Sequence, residues 1–284
     1  MSRPTESSPA TPQRPARPQR PQIVLEVLER IQLSPRMVRI VAGGPGISAV
    51  EDNGRTDAYT KMLFAHPGTD LVPPYDLDAL RQELPVELLP SRRTYTIRRF
   101  DLANGRIWID FVVHGDEGVA GPWADGAVPG APVVLGGIGG GYAPDPEADW
   151  HLLAGDDSAL PAIASALEAM RPDTRGVALL EVDGDADHLE LTAPDGIRIE
   201  WLHRDGREAG TTTLLADAVR AVDWQDGRVQ VFAHGERGAM KSLRPYLTDE
   251  RGLDREQLSL SAYWAHGRKE DTFQAEKREQ IGQI

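Results

Sequence analysis

The stretch SRRTYTIRRF, residues 91–100, decides how this chain is read. It alternates as a strand does, and along a strand successive side chains point to opposite faces. Arg93, Tyr95 and Ile97 then share one face, and Arg92, Thr94, Thr96 and Arg98 share the other. A half-buried strand ordinarily sets apolar residues against indifferent polar ones. Here both faces carry groups that bind. A tyrosine ring suits a flat ligand, a guanidinium grips a phosphate through two bonds, and a threonine hydroxyl shares a proton with a ring nitrogen. From spacing alone two readings stay open: an edge strand with solvated arginines, or a cradle for a flavin nucleotide.

Outward from this strand, the segments IVLEVLERI (23–31), MVRIVA (37–42), YTKMLFAH (59–66), RTYTIRRF (93–100), RIWIDFVVH (106–114) and PVVL (132–135) are short, rich in branched or aromatic residues and bounded by turn formers. Six such strands without long helices between them predict an antiparallel six-stranded β-barrel. Asn104-Gly105 predicts a tight hairpin, and PYDLDALRQELP (74–85) a short helix. After Gly141 strands and helices alternate: HLLAG, then SALPAIASALEAM (158–170), VALLEV, IRIEWLH, TTLLADAVRAV, VQVFAH, MKSLRPYLTDE and LSLSAYW. That order predicts an open parallel α/β sheet covered on both faces. The change falls in GGIGGGYAPDPEA, so the expected organisation is a tail over 1–21, a barrel domain over 22–145 and an α/β domain over 146–284.

Composition bounds the chemistry. The 284 residues are 40% hydrophobic, enough for two cores, and no apolar run approaches a membrane span. Cysteine is absent, which excludes disulfides, cysteine-ligated iron–sulfur clusters and thiol nucleophiles. A net charge of −13 disfavours nucleic acid as the main partner. The first residues lack the apolar core of a secretory signal, so a cytoplasmic location is expected, with a monomer as the default. In PQRPARPQRP, prolines recur every third residue, the period of a polyproline II arm. The seven histidines show no HxxxH or HExxH spacing, so no metal site is expected, and no GxSxG elbow suggests a hydrolase.

Two further segments favour a nucleotide. FVVHGDEGVAGPWADG (111–126) leaves a strand at His114, turns through glycines and opens a short helix whose amides suit a pyrophosphate. HLLAGDDSALPAI (151–163) runs strand, Gly155, helix; Asp156 and Asp157 there repel phosphate, are expected to cap the helix, and suit a cationic nicotinamide better. HRDGR (203–207) supplies Arg204 and Arg207 as candidates for the extra phosphate of NADP, with Lys241 as a third.

Taken together, Arg93-x-Tyr95-Thr96-x-Arg98, His114-Gly115, Gly121-Pro122-Trp123-Ala124, the run from Gly155 to Ile163, and Tyr263-Trp264 resemble the siderophore-interacting protein family, flavin-dependent ferric-siderophore reductases related to ferredoxin–NADP reductases. The resemblance covers about residues 22 to 270, in the same order. It implies an FAD-binding barrel, an NAD(P)H-binding α/β domain and an iron(III)-siderophore substrate whose iron is held by the chelator. On this resemblance Arg93, Tyr95, Thr96, Ile97 and Arg98 hold the flavin, with Thr96 near its reactive N5. His114, Ala120, Gly121, Pro122 and Trp123 meet the rest of the FAD; Asp157, Ser158, Ala159, Arg204, Arg207 and Trp264 serve the nicotinamide cofactor, NADPH or NADH. Lys61 matches a basic position of the family and, with Arg99 and His266, is expected to meet an anionic siderophore. Two features depart from the family pattern: the re-spaced turn at 119–123, and Ala265-His266 where an arginine often follows Tyr-Trp. Two rivals share the architecture, a reductase of a protein acceptor such as ferredoxin or flavodoxin, and a non-catalytic siderophore carrier.

Overall fold

A computed structural model describes residues 21–115, 118–277 and 279–284. The polyproline arm expected over 1–21 lies, but for Pro21, outside the described residues. All six expected barrel strands form: β1 (Ile23–Ser34), β2 (Met37–Gly43), β3 (Tyr59–Phe64), β4 (Ser91–Asp101), β5 (Arg106–Val112) and β6 (Pro132–Gly139). They close in the order β1-β2-β5-β4-β3-β6, every pair antiparallel. Alternation drives the closure. Val38, Ile40, Met62, Ile97, Ile107, Ile109, Phe111 and Leu135 all point inward and are almost fully buried. Each such side chain contributes about 1.5–3 kcal/mol on leaving water.

The β4–β5 hairpin is present, but Asn104-Gly105 is not a two-residue turn. Residues 102–104 form a 3-10 turn and Gly105 takes φ 67°, so the four residues between the paired Asp101 and Arg106 make the connection. The short helix expected over 74–85 is α1 (Leu77–Glu83), capped by the Asp76 carboxylate, which accepts from the amides of Asp78 and Ala79. The helix after β5 is α2 (Ala120–Asp125).

The second half is a five-stranded parallel sheet: β7 (Trp150–Asp156), β8 (Arg175–Val182), β9 (Gly196–His203), β10 (Val229–Glu236) and β11 (Leu258–Trp264), ordered β11-β10-β7-β8-β9. Its strands are apolar on both faces because both are covered. Leu152, Ala154, Val231 and Ala233 face α4 (Leu214–Ala221) and α5 (Arg237–Pro245), whereas Leu153 and Phe232 face α3 (Leu160–Ala169). The α3 side also packs on the barrel, since Met37 joins its core. A helix not expected from the sequence, α6 (Glu270–Glu276), follows β11 and is anchored by the buried Phe273. Among the described residues no helix is long and apolar enough to cross a membrane.

Candidate functional site

Strand order reverses between β7 and β10, and ligands of open α/β sheets gather outside the carboxyl ends of the strands at such a switch point. Asp156 ends β7 there and is buried. Its Oδ1 accepts from the amide and hydroxyl of Ser158 at 2.9 and 2.5 Å, and its Oδ2 from the Glu236 amide and the Trp264 indole, each at 2.8 Å. Gly235 (φ 152°) permits this approach, because a Cβ there would stand 2.7 Å from Asp156 Oδ2. Burial pushes the Asp156 carboxyl up against those hydrogen bonds. Asp156 thus ties β7, β10 and β11 together.

The expected capping role of Asp156 and Asp157 is therefore corrected. The N-cap of helix α3 is Ala159, which has no side-chain bond to the helix amides; Asp156 bonds Ser158, Glu236 and Trp264 instead, and Asp157 bonds Arg204. Asp157 Oδ2 accepts from Arg204 at 2.7 Å, and Glu181 Oε1 lies 3.6 Å from the same guanidinium. Arg204 is 1% exposed, so the expectation of a guanidinium offered to a phosphate is not met. It neutralises the acidic cluster instead, with Asp157 still pushed up to about 6 by burial. Arg207 is exposed but bonds the carbonyls of Arg204 and His203. Lys241 bonds the Ile281 carbonyl. Asp156, Glu181, Arg204, Gly210, Glu236 and Trp264 line a narrow pocket whose acidity suits a cationic ring better than a phosphate.

On the barrel side, Tyr95 packs its ring 4.3 Å from Phe111, and Ile97 points into the core. The opposite face of β4 meets the second domain. Thr96 is buried beside the hydroxyl of Tyr263 on β11, whose ionisation burial pushes up. Arg98, 8% exposed, is also corrected: it pairs with Glu168 of α3, while Ser165 donates to its carbonyl at 2.7 Å, so it holds the domains together. Arg93 meets Asp271 of α6 at 3.1 Å, and Arg99 lies over the Trp108 ring at 4.9 Å. Lys61 is exposed on β3 opposite Thr94. His266 is exposed too, 2.9 Å from Glu208.

His114 is exposed beyond β5, and Gly115 (φ 69°) and Gly118 (φ 84°) flank the approach to α2. Trp123 stands 5.2 Å from Phe64 and 5.6 Å from Phe111, its ring joined to the barrel core. Among the described residues no side chain caps α2, so the amides of Ala120 and Gly121 at its start have no capping partner there. Those uncapped donors beside the Tyr95 platform fit a flavin nucleotide with a pyrophosphate.

Sequence reasoning did not single out Glu181, Glu236 or α6, whose positions depend on distant partners. It also found no metal-ligand spacing, whereas the fold brings Asp185, His188 and His203 together. His188, in the β8–β9 connection, and His203, at the end of β9, are fifteen positions apart, a separation no local motif spans.

Comparison with known proteins agrees with this geometry. Residues 26–142 match the siderophore-interacting FAD-binding domain, and residues 148–267 match the siderophore-interacting protein family. An uncharacterised protein of Mycobacterium tuberculosis is 47% identical over 89% of this chain and 94% of its own length. The ferric vibriobactin reductase of Vibrio cholerae is 29% identical over 89% and 93%. The crystal structure of a siderophore utilization protein from T. fusca superposes with a TM-score of 0.77 at 37% identity, covering 88% of this chain and 96% of that one. Likeness to ferredoxin–NADP+ reductase from Plasmodium falciparum, with a TM-score of 0.59 at 11% identity over 85% of this chain and 96% of that one, carries the fold alone. A closed barrel, a switch-point pocket and two contiguous matches make this chain a member of the siderophore-interacting protein family.

Proposed function

We propose that the protein is an FAD-dependent reductase of ferric siderophores, drawing electrons from NADH or NADPH and releasing iron(II) in the cytoplasm for assimilation. The observation that carries this reading is the placing of the buried Thr96 of β4 beside Tyr263 of β11. It brings the flavin-type cradle of the barrel against the strand that ends at the switch-point pocket, so donor and acceptor surfaces converge on one hydroxyl pair.

Arg93, Tyr95, Thr96 and the Ile97 backbone would hold FAD, with His114, the first amides of α2, Pro122 and Trp123 serving its remaining half. The Arg93–Asp271 pair is no obstacle: Asp271 is 76% exposed, and such a pair is worth about 0–1 kcal/mol. Bound FAD supplies the change from a two-electron donor to a one-electron acceptor. This chain's residues do the positioning. Thr96 would orient the reactive ring edge, and Tyr263 and Trp264 would exclude water above the pocket. Asp157, Ser158 and Ala159 line the approach for the nicotinamide, with Arg207 the basic group left near its phosphates. Arg98 and Arg204 keep the frame closed. Lys61, with Arg99 and His266, offers positive charge to an anionic ferric chelate, whose iron needs no ligand from the protein. Iron(II) binds hard oxygen donors more weakly than iron(III), so reduction loosens the chelate.

The net charge of −13 disfavours docking of an acidic ferredoxin or flavodoxin. The test is steady-state turnover of the FAD-loaded chain with a ferric hydroxamate or catecholate and a coloured iron(II) trap. Iron(II) formation that requires FAD and either nicotinamide supports the reading. Turnover only with a protein acceptor, or none at all, refutes it.

A further inference from the structure

Strand β9 is one edge of the parallel sheet, two strands away from β7 and its switch-point pocket. At its end the ring of His203 faces that of His188, Nε2 to Nε2, at 2.7 Å. Asp185 Oδ1 lies 3.5 Å from His203 Nε2 and 3.9 Å from His188 Nε2. These three separations form an acute triangle, so the point equidistant from its corners falls inside it. That point lies about 2.0 Å from each atom, the length of a zinc–imidazole or zinc–carboxylate bond.

The three groups are also held in place. His188 stacks on Trp201 at 4.3 Å and 16°. His203 is fixed by strand pairing with Val182. The turn carrying Asp185 is pinned to the barrel, since the buried Asp187 accepts from the Ser34 hydroxyl at 3.1 Å. A single N–H···N bond between the rings accounts for 2.7 Å, and the Asp185 carboxylate stands beside both nitrogens at 3.5 and 3.9 Å, longer than an ordinary hydrogen bond. Asp185 is 91% exposed, which leaves room for water ligands on an ion.

We propose that Asp185, His188 and His203 form a binding site for one divalent first-row transition-metal ion, held through two imidazole nitrogens and one carboxylate oxygen. Imidazole suits zinc, copper, nickel and iron(II), whereas magnesium and calcium require oxygen donors. Seen from that point the three donors subtend about 85°, 122° and 153°, so an ion with regular coordination requires the two rings and the carboxylate to turn toward it. The site does not rest on the proposed reductase activity, though it adjoins the proposed nicotinamide surface, since Arg207 donates to the His203 carbonyl at 3.2 Å.

The test uses the full chain without an affinity tag, stripped with a chelator, desalted and titrated with Co2+ and Zn2+. Calorimetry is expected to give one saturable site, and bound Co2+ to develop visible bands. Loss even of a group behind a ligand weakens a metal site about 10–100-fold, so His203→Gln and the exposed Asp185→Asn are expected to weaken binding at least that much. His66→Gln, at an exposed histidine elsewhere, is expected to change nothing. Co2+ also quenches the tryptophan stacked on His188, and Trp201→Phe removes that quenching. Absence of saturable uptake overturns the proposal. So does uptake undiminished by both Asp185→Asn and His203→Gln in chains whose circular dichroism matches the parent.

Discussion

Replacing Arg204 with methionine separates its structural placement from the phosphate-binding role its position in HRDGR suggests. The guanidinium is 2.7 Å from Asp157 and 3.6 Å from Glu181, almost wholly out of water. Methionine keeps much of the volume but leaves two buried carboxylates facing the buried Asp156 without a cation. Removing one partner of a buried pair costs about 3–5 kcal/mol, a large part of an ordinary domain's stability. The pH dependence has a definite sign. Burial already pushes Asp157 up to about 6, and Glu181 is raised by burial and by Asp156. Loss of Arg204 raises Asp157 further. A carboxyl whose folded pKa lies above its unfolded value contributes stability at low pH that is lost as pH rises through the folded value. The gap between Arg204→Met and the parent is therefore widest at pH 8 and narrows toward pH 5. Urea unfolding at both pH values measures it, and adding Asp157→Asn to Arg204→Met is expected to recover part of the loss. A gap below about 1 kcal/mol at pH 8, or one that widens on acidification, refutes the reasoning and returns Arg204 to the surface.

Other outcomes follow from the same geometry. Burial, then Lys277, holds the His234 imidazole down at about 3, so the folded state keeps it neutral while the unfolded chain takes a proton near pH 6.5. Its contribution is complete above about pH 6.5 and is lost at about 1.4 kcal/mol per unit as pH falls toward 3; His234→Gln flattens that acid limb in unfolding curves. Arg98→Ala removes the bridge to Glu168 and Ser165, and is expected to cost about 2 kcal/mol, between an exposed and a buried pair, and to speed proteolysis between β6 and β7. Lys61→Glu is expected to raise KM for an anionic ferric chelate about tenfold or more while leaving flavin reduction by the nicotinamide unchanged; equal loss in both steps counts against its role.

Both architectures were legible because their signals are local. In β4 and β5 a period of two and flanking turn residues mark strands wherever they lie in the chain, and the change of rhythm after Gly141 marks parallel strands with helices between them. Tyr95 and Thr96 could be singled out for the same reason, as residue types on one strand. Partners were not legible. Arg98 finds Glu168 seventy positions away, and Arg204 finds Asp157 forty-seven positions away, so two arginines that read as cofactor-binding are engaged within the protein. Asp156 reads as a cap and is a hub, because Trp264 reaches it from 108 positions on. Helix α6 escaped notice because EDTFQAE presents one apolar anchor, Phe273, rather than a stripe. His188 and His203 converge only once β8 and β9 pair.

The central claim is that flavin on the barrel connects a nicotinamide donor to iron(III). It is tested most directly by the anaerobic visible spectrum of the FAD-loaded chain, first with NADH or NADPH and then with a ferric siderophore. The account predicts that the flavin band near about 450 nm bleaches with the donor and returns as iron(II) forms. A band that bleaches and returns only with a ferredoxin, or a chain that takes up no FAD, contradicts it.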